Sequence, residues 1–178
     1  VASSRKRPRS AQRQSEPMGK ARIDALTRIT PPVAQPVTTA EAKAQMRVEH
    51  SDDDTIIDRL IAAAVAFTDA GGVLGRAMIT QTWAQTGQYW SGRSPLTMTP
   101  VQAITAVKYF DVNNVEQTAT LSDFRRSGGA NDSYVEPVGS WPKAFDRPDA
   151  LKVEVSAGYG DAASDVPDTI RHAILMLV

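Results

Sequence analysis

The sequence contains no cysteine among its 178 residues. This absence excludes disulfide bonds, thiolate zinc sites, iron–sulfur clusters and a cysteine nucleophile. Aromatic residues make up only 6% of the chain, and no run approaches the roughly 18 to 20 apolar residues of a membrane helix. The basic start runs into Ser, Gln and Pro rather than into an apolar stretch, so we expect a protein that is made and used without export.

The net charge of zero conceals an asymmetry along the chain. Residues 1–28 hold eight Lys and Arg against two acidic residues, whereas the remaining 150 hold twelve against eighteen. The chain therefore combines a basic arm, at +6, with an acidic body, at −6. Such an arm is typical of a tail that contacts nucleic acid or an acidic partner surface.

The predicted arm covers residues 1–37, because it lacks an apolar period and ends in a proline-rich stretch. Its basic side chains are candidates for contact with DNA phosphates or with an acidic groove on a neighbouring protein, and a solvated tail remains the alternative. The candidate contact residues of the arm are Arg5, Lys6, Arg7, Arg9 and Arg13.

Two helices are predicted after the arm. Thr38 is a candidate N-cap with Glu41 at the third helical position, which predicts a short helix over residues 39–47. A second helix follows the acidic run 52–54, and Gly71-Gly72 is expected to end it with a left-handed cap. The apolar residues that recur at helical spacing, and are expected to face the core, are Ile57, Leu60, Ile61, Ala64 and Phe67.

A β-rich region is predicted from about residue 77 to 157. Residues 104–110 and 115–119 form a predicted hairpin, and residues 151–157 alternate apolar and polar side chains as a strand does. A last helix is expected over residues 169–178. The predicted fold is therefore α+β: a small helical bundle (38–70 and 166–178) with an inserted β-rich region and an extended basic N-terminal arm. Residues 38–178 form its single domain.

Three sets of polar and aromatic residues invite a functional interpretation, and each has a plainer one. Asp52, Asp53, Asp54 and Asp58 resemble ligands of a hard cation, but they also suit the N-terminus of the following helix. His50 and His172 lie in no metal-binding motif. Trp83, Trp90 and Trp141 are more typical of a core or a subunit contact than of base stacking. We predict no catalytic, cofactor or metal site and therefore a protein that is not an enzyme.

The order of several short strings resembles the head-tail connector (adaptor) family of tailed phages and gene transfer agents. The resemblance extends over roughly residues 29–178. The strings are Ile29–Pro32, Val37–Lys43, Ile56–Phe67, Ala77–Trp83, Ser140–Pro142, Ala157–Asp161 and Val166–Leu175. Gly71-Gly72 departs from the family pattern, and so does the basic arm.

The resemblance implies a ring subunit of the virion neck, assembled in the host cytoplasm. It implies a twelvefold ring between the portal protein and a tail-side stopper, with DNA passing through without sequence-specific binding. The implied portal-side residues are Thr169, Ile170, Arg171, Ala173, Ile174, Leu177 and Val178. Another neck component, such as a stopper or tail-completion protein, is one alternative. A DNA-binding accessory protein that uses the arm is the other.

Overall fold

The computed structural model describes residues 25–88, 90 and 92–178. This part of the chain contains three α-helices and eight strands, all of them in antiparallel sheets, which confirms the predicted α+β class. The helices are α1 (Thr39–Met46), α2 (Asp54–Thr68) and α3 (Asp168–Leu177). The strands are β1 (Ala25–Thr30), β2 (Gln81–Gly87), β3 (Ser94–Pro95), β4 (Val101–Phe110), β5 (Glu116–Thr118), β6 (Phe124–Gly128), β7 (Ser133–Pro137) and β8 (Leu151–Ala157).

The larger sheet has the strand order β1-β2-β8-β4-β5, and the smaller one has the order β3-β7-β6. β8 lies at the centre of the larger sheet and pairs along its whole length with both β2 and β4. Its alternation predicts one buried face, and Leu151, Val153, Val155 and Ala157 are all at most 2% exposed. These residues form one core with Trp83, Phe124 and Val135, so the two sheets share a single apolar interior.

The three helices pack around a second core. Its buried residues include Ile57 and Ile61 of α2, Ala42 of α1 and Ile174 of α3. The predicted capping box is confirmed: Glu41 N donates to Thr38 Oγ1 at 3.2 Å, and Thr38 N donates to the Glu41 carboxylate at 2.7 Å. The cap satisfies backbone groups that the first turn of α1 would otherwise leave unpaired.

Asp69 joins the helical core to the larger sheet. The residue is buried, and its Oδ1 accepts hydrogen bonds from Met78 N at 3.0 Å and from Gln81 Nε2 at 3.3 Å. The expected glycine cap of α2 is wrong, because Asp69 is the C-cap and its backbone is extended. Gly72 lies in the turn that follows, where a Cβ would lie 2.0 Å from Phe67 O. The glycine is needed for this close approach of two backbone segments.

The strand β1 lies in the stretch that the sequence assigns to the arm. Its residues pair with β2 from Ala25 opposite Thr86 to Thr30 opposite Thr82. The five candidate contact residues of the arm, Arg5 to Arg13, lie outside the described residues. Over the part of the chain that the structure describes, no helix has the length and apolarity to cross a membrane.

Candidate assembly interfaces

The predicted portal-side helix α3 has two different faces. Of the seven residues implied for the portal side, four are wholly or partly buried against the rest of the chain. Ile174 is fully buried, and Ile170, Arg171 and Val178 are half-buried. These four residues hold α3 in place, which leaves the opposite face for a partner.

Arg171 fixes α3 to the start of α1. Its guanidinium donates to Pro36 O at 3.2 Å and to Asp168 at 3.1 Å, and it also pairs with the Glu41 carboxylate. Partial burial acts to raise the pKa of Glu41, but the hydrogen bonds from Thr38 and the charge of Arg171 lower it below its ordinary value. The carboxylate of the capping box is therefore also the anchor of the last helix.

The exposed face of α3 carries six residues: Asp168, Thr169, His172, Ala173, Met176 and Leu177. Sequence reasoning included Thr169, Ala173 and Leu177 and missed Asp168, His172 and Met176. Met176 is 65% exposed and Leu177 is 52% exposed, so the face ends in an apolar pair. Helical spacing would have found the missed residues, because Met176 follows Ala173 at three and His172 at four residues, and His172 follows Asp168 at four.

A second unpartnered apolar surface lies on α2. The sequence places Leu60 and Phe67 in the core, and this prediction is wrong: they are 40% and 57% exposed. Only Ile57, Ile61 and Ala64 of the predicted stripe are buried. The exposed residues form a surface that we call the α2 stripe, which consists of Ile56, Leu60, Ala63 and Phe67 and continues into Val73 and Leu74. The stripe extends to Val73 and Leu74 because a hydrogen bond of 2.7 Å from Val73 N to Phe67 O places these residues next to the end of α2.

A third apolar surface lies at the turn between β4 and β5. We call residues 111–115, together with Phe145, the hairpin tip. Asp111 builds the turn, since its carboxylate accepts hydrogen bonds from Asn113 N and Val115 N. The bond from Val115 is the largest cause of the lowered pKa of Asp111. Val112, Val115 and Phe145 are 65%, 52% and 40% exposed.

Two acidic residues in the first turns of α2, Asp54 and Asp58, contact α1. Asp54 Oδ1 accepts a hydrogen bond from Lys43 Nζ at 2.6 Å, and Asp58 Oδ1 accepts one from Thr39 Oγ1 at 2.5 Å. Asp53 is the N-cap of α2, but its side chain makes no capping bond. Asp54 and Asp58 therefore tie α2 to α1, and Asp54 also lies in the first turn of α2, where a negative charge suits the helix N-terminus. Within the described residues, no three His, Asp or Glu side chains gather as metal ligands would.

The three tryptophans pack within the β-rich region. Trp83 and Trp90 are 8% and 4% exposed, and Trp90 meets Trp141 edge to face with ring centroids 5.2 Å apart. Trp141 also contacts Phe124 at 5.3 Å and donates from Nε1 to Gly92 O. These contacts favour the interpretation of the tryptophans as core residues, since stacking on bases requires an open ring face.

Six groups among the described residues have shifted pKa values, and only Lys108 and Asp149 share a cavity, a small one of about 10 Å³. The hydrogen bond to Glu154 raises the pKa of Lys108 on β4, and hydrogen bonds from Ser127 and Arg125 lower the pKa of Glu136 on β7. The other four are Glu41, Asp111, Tyr134 and Asp149. None of the six lines the groove of about 380 Å³ between α2 and the proline-rich residues 31–36. Their shifts come from local partners.

The fold is similar to that of chains in solved structures of gene transfer agent particles. One of these is a chain in the neck of an empty gene transfer agent particle, computed with C6 symmetry: the TM-score is 0.70 at 20% identity, over 86% of this chain and 80% of that one. A chain in the virion of a native gene transfer agent particle gives 0.65 at 20% identity, over 85% and 80%. A chain in the neck of a native particle, computed with C12 symmetry, gives 0.64 at 19% identity, over 86% and 80%.

The likeness to these chains confirms, at the level of the fold, the resemblance found in the sequence. No protein-family profile matches the chain, and no curated protein matches it by sequence. The fold therefore defines the class: an α+β chain built like those in the gene transfer agent particles.

Proposed function

We propose that this protein is a structural, non-enzymatic subunit of a virion neck, in a tailed phage or a gene transfer agent. The observation that supports this most strongly is the shared fold. Two of the similar chains belong to particle necks, and 86% of the present chain takes part in each of those matches. Because a fold alone does not determine function, the assembly surfaces of this chain are the second support.

Within the neck, we propose the role of a head-tail connector. Subunits would form a ring, twelvefold in the particle, that docks beneath the portal protein and continues the DNA channel for packaging retention and ejection. The exposed face of α3 supports a portal contact, since Met176 and Leu177 are exposed on a helix that Arg171 anchors to Pro36 and Glu41. The acidic body supports a channel role, because like charge keeps phosphates from binding to the wall.

Another neck component, a stopper or tail-completion protein, is the second candidate. It is favoured by the same observation, since the similar structures are described as necks without naming a position within them. Both candidates are ring proteins, and only the neighbour that each contacts separates them.

The test is to mix the chain with its candidate portal protein and to examine the complexes by negative-stain imaging and native mass spectrometry. We expect rings seated on the portal for the natural sequence. Ala173→Glu should abolish the complex, because it adds a charge to the exposed face of α3. Ser164→Glu is the matched control, since it adds the same charge at an exposed position before the helix.

Two results would overturn the connector role. Rings that bind a tail-side neck protein but not the portal would favour the second candidate. A persistent monomer that ignores the portal and binds DNA through residues 1–28, with a steep dependence on salt, would make the protein a DNA-binding accessory factor instead.

A further inference from the structure

The inference concerns how one subunit contacts the next, and it rests on the proposed ring. The α2 stripe is long enough for such a contact, because a helix of 15 residues extends for about 22 Å. Its exposed apolar side chains, with Val73 and Leu74, present on the order of 500 Å² of apolar surface. A standard interface buries about 800 Å² on each partner. The stripe thus supplies most of the area that one subunit face needs.

The hairpin tip lies at the other end of the molecule. β4 begins beside the helical core, where Gly158 N donates to Pro100 O and Tyr159 N donates to Met78 O. The strand then runs for ten residues and ends at Phe110, next to the tip. Ten residues of strand extend for about 33 Å. One chain therefore carries two different apolar surfaces, separated by roughly the length of the sheet.

The charges at the hairpin tip have hydrogen-bond partners within the chain that would remain on burial. The carboxylate of Asp111 is already held by the backbone of its own turn and by Gln117 Nε2 at 3.0 Å. Arg147, which lies over the Phe110 ring at 3.8 Å, donates to Asp149 and Asn114. Charges that keep their partners on burial cost far less than unpaired ones. The hairpin tip can therefore be buried in an apolar contact without breaking its internal hydrogen bonds.

We propose that the α2 stripe of one subunit binds the hairpin tip of a second copy of this chain. Two unlike surfaces at opposite ends form a head-to-tail contact, and such contacts close into rings when the rotation between subunits permits. If the α2 stripe paired with itself, the contact would be complete in a dimer and could not build a ring. The separation of the two surfaces thus matches the symmetry that the proposed function requires.

The lack of cysteine permits a direct test on the full chain. Leu60→Cys places a thiol on the α2 stripe, and Val112→Cys places one on the hairpin tip, both at exposed positions. A short bismaleimide cannot join the two thiols within one chain, because they lie at opposite ends of the sheet. We therefore expect the double variant to give a ladder of dimers, trimers and higher species on a denaturing gel.

Controls distinguish the proposed contact from chance collisions. After cross-linking, each single variant should run as a monomer on the denaturing gel, and so should Leu60→Cys combined with Ser164→Cys, which lies on neither surface. Dimers from Leu60→Cys alone would show that the stripe pairs with itself, which overturns the proposal. Ladders of equal strength from the Ser164 pair, or no ladder from the Leu60 and Val112 pair, would also overturn it.

Failure of this contact can be told apart from failure of the proposed function. A chain that seats on the portal as a ring but gives no ladder would keep the neck role and lose only this contact. A chain that gives the ladder but binds neither portal nor other neck proteins would keep the contact and lose the neck role.

Discussion

The strand β8 and the helix α2 contain similar apolar residues but use them differently. In β8, all four apolar residues of the alternating pattern are buried. In α2, Ile57 and Ile61 are buried, whereas Ile56 and Leu60, which precede them directly, are exposed. A strand has two faces, so alternation alone assigns each side chain. A helix has a continuous surface, so helical spacing alone does not assign a side chain to the core. Apolar residues that lie outside the face packed against the core remain exposed and can contact a partner.

This difference separates the apolar residues that stabilise one folded chain from those that are available for contacts between chains. The strand β8 uses its apolar residues within the chain, since it is paired on both edges and its inner face packs in the core shared with the smaller sheet. The helical layer keeps apolar residues on its outside, along the α2 stripe and on the exposed face of α3. Contiguous exposed apolar surface of this kind is typical of protein contacts. Substitutions in the two regions should therefore have different consequences.

The largest effect is expected in β8. Val153→Asp places a carboxylate at a position with no solvent exposure, in a core where the described residues include no buried Lys or Arg. Because a buried unpaired charge is strongly unfavourable, the variant should lose about 4 kcal/mol or more of its free energy of unfolding. Urea denaturation followed by circular dichroism measures the loss.

Lys152→Asp is the matched control in β8, because its side chain points to the half-exposed face of the same strand. We expect a cost of less than about 1 kcal/mol there. Equal losses of unfolding free energy in Lys152→Asp and Val153→Asp would contradict this account, since they would mean that alternation in β8 does not determine burial.

An intermediate effect is expected in α2. Ile61→Ala should lower the free energy of unfolding by about 2 to 5 kcal/mol, because it opens a cavity at a residue that is 2% exposed. Leu60→Ala should cost less than about 1 kcal/mol in the monomer, since its side chain is 40% exposed. Urea denaturation of dilute, monomeric protein measures both values.

A measurement of self-association gives a second test of the difference between Leu60 and Ile61. Leu60→Ala should weaken self-association at a concentration where the natural chain forms oligomers, and light scattering would detect this. If Leu60→Ala proved as destabilising to the monomer as Ile61→Ala, the α2 stripe would belong to the core and not to an interface.

Most of the fold was predictable because local chemistry determines it. The Thr38 cap, the hairpin from β4 to β5 and the alternating β8 each depend on residues close together in sequence. β1 was not predicted, because five of its six residues are exposed and only Leu26 packs on the core. An edge strand of this kind is held by pairing with β2, so it has no periodicity of its own to detect.

The candidate interfaces were only half predictable. The sequence identifies α3 as a partner-facing helix, but the distinction between its buried Ile174 and exposed Met176 depends on where α1 and α2 pack. The same limit applies to Leu60 and Phe67, which have the right spacing for a core stripe. Burial within a helical layer is set by neighbours far away in sequence, and no single-helix pattern contains that information.

The smallest effect on the free energy of unfolding is expected at Glu41, because its carboxylate charge helps to hold α3 against α1. The pKa of Glu41 is lowered in the folded chain, so its carboxylate contributes stability that is present above the unfolded value of 4.5. That contribution is lost as the pH falls through the folded pKa. Glu41→Gln should therefore cost about 0.5 to 1 kcal/mol at neutral pH, where solvent screens a half-exposed pair, and nothing at strongly acidic pH. Urea denaturation at both pH values tests this, with the exposed Glu49→Gln as the control. A cost that persisted in acid would show that packing of the side chain, and not its charge, anchors α3 through Arg171.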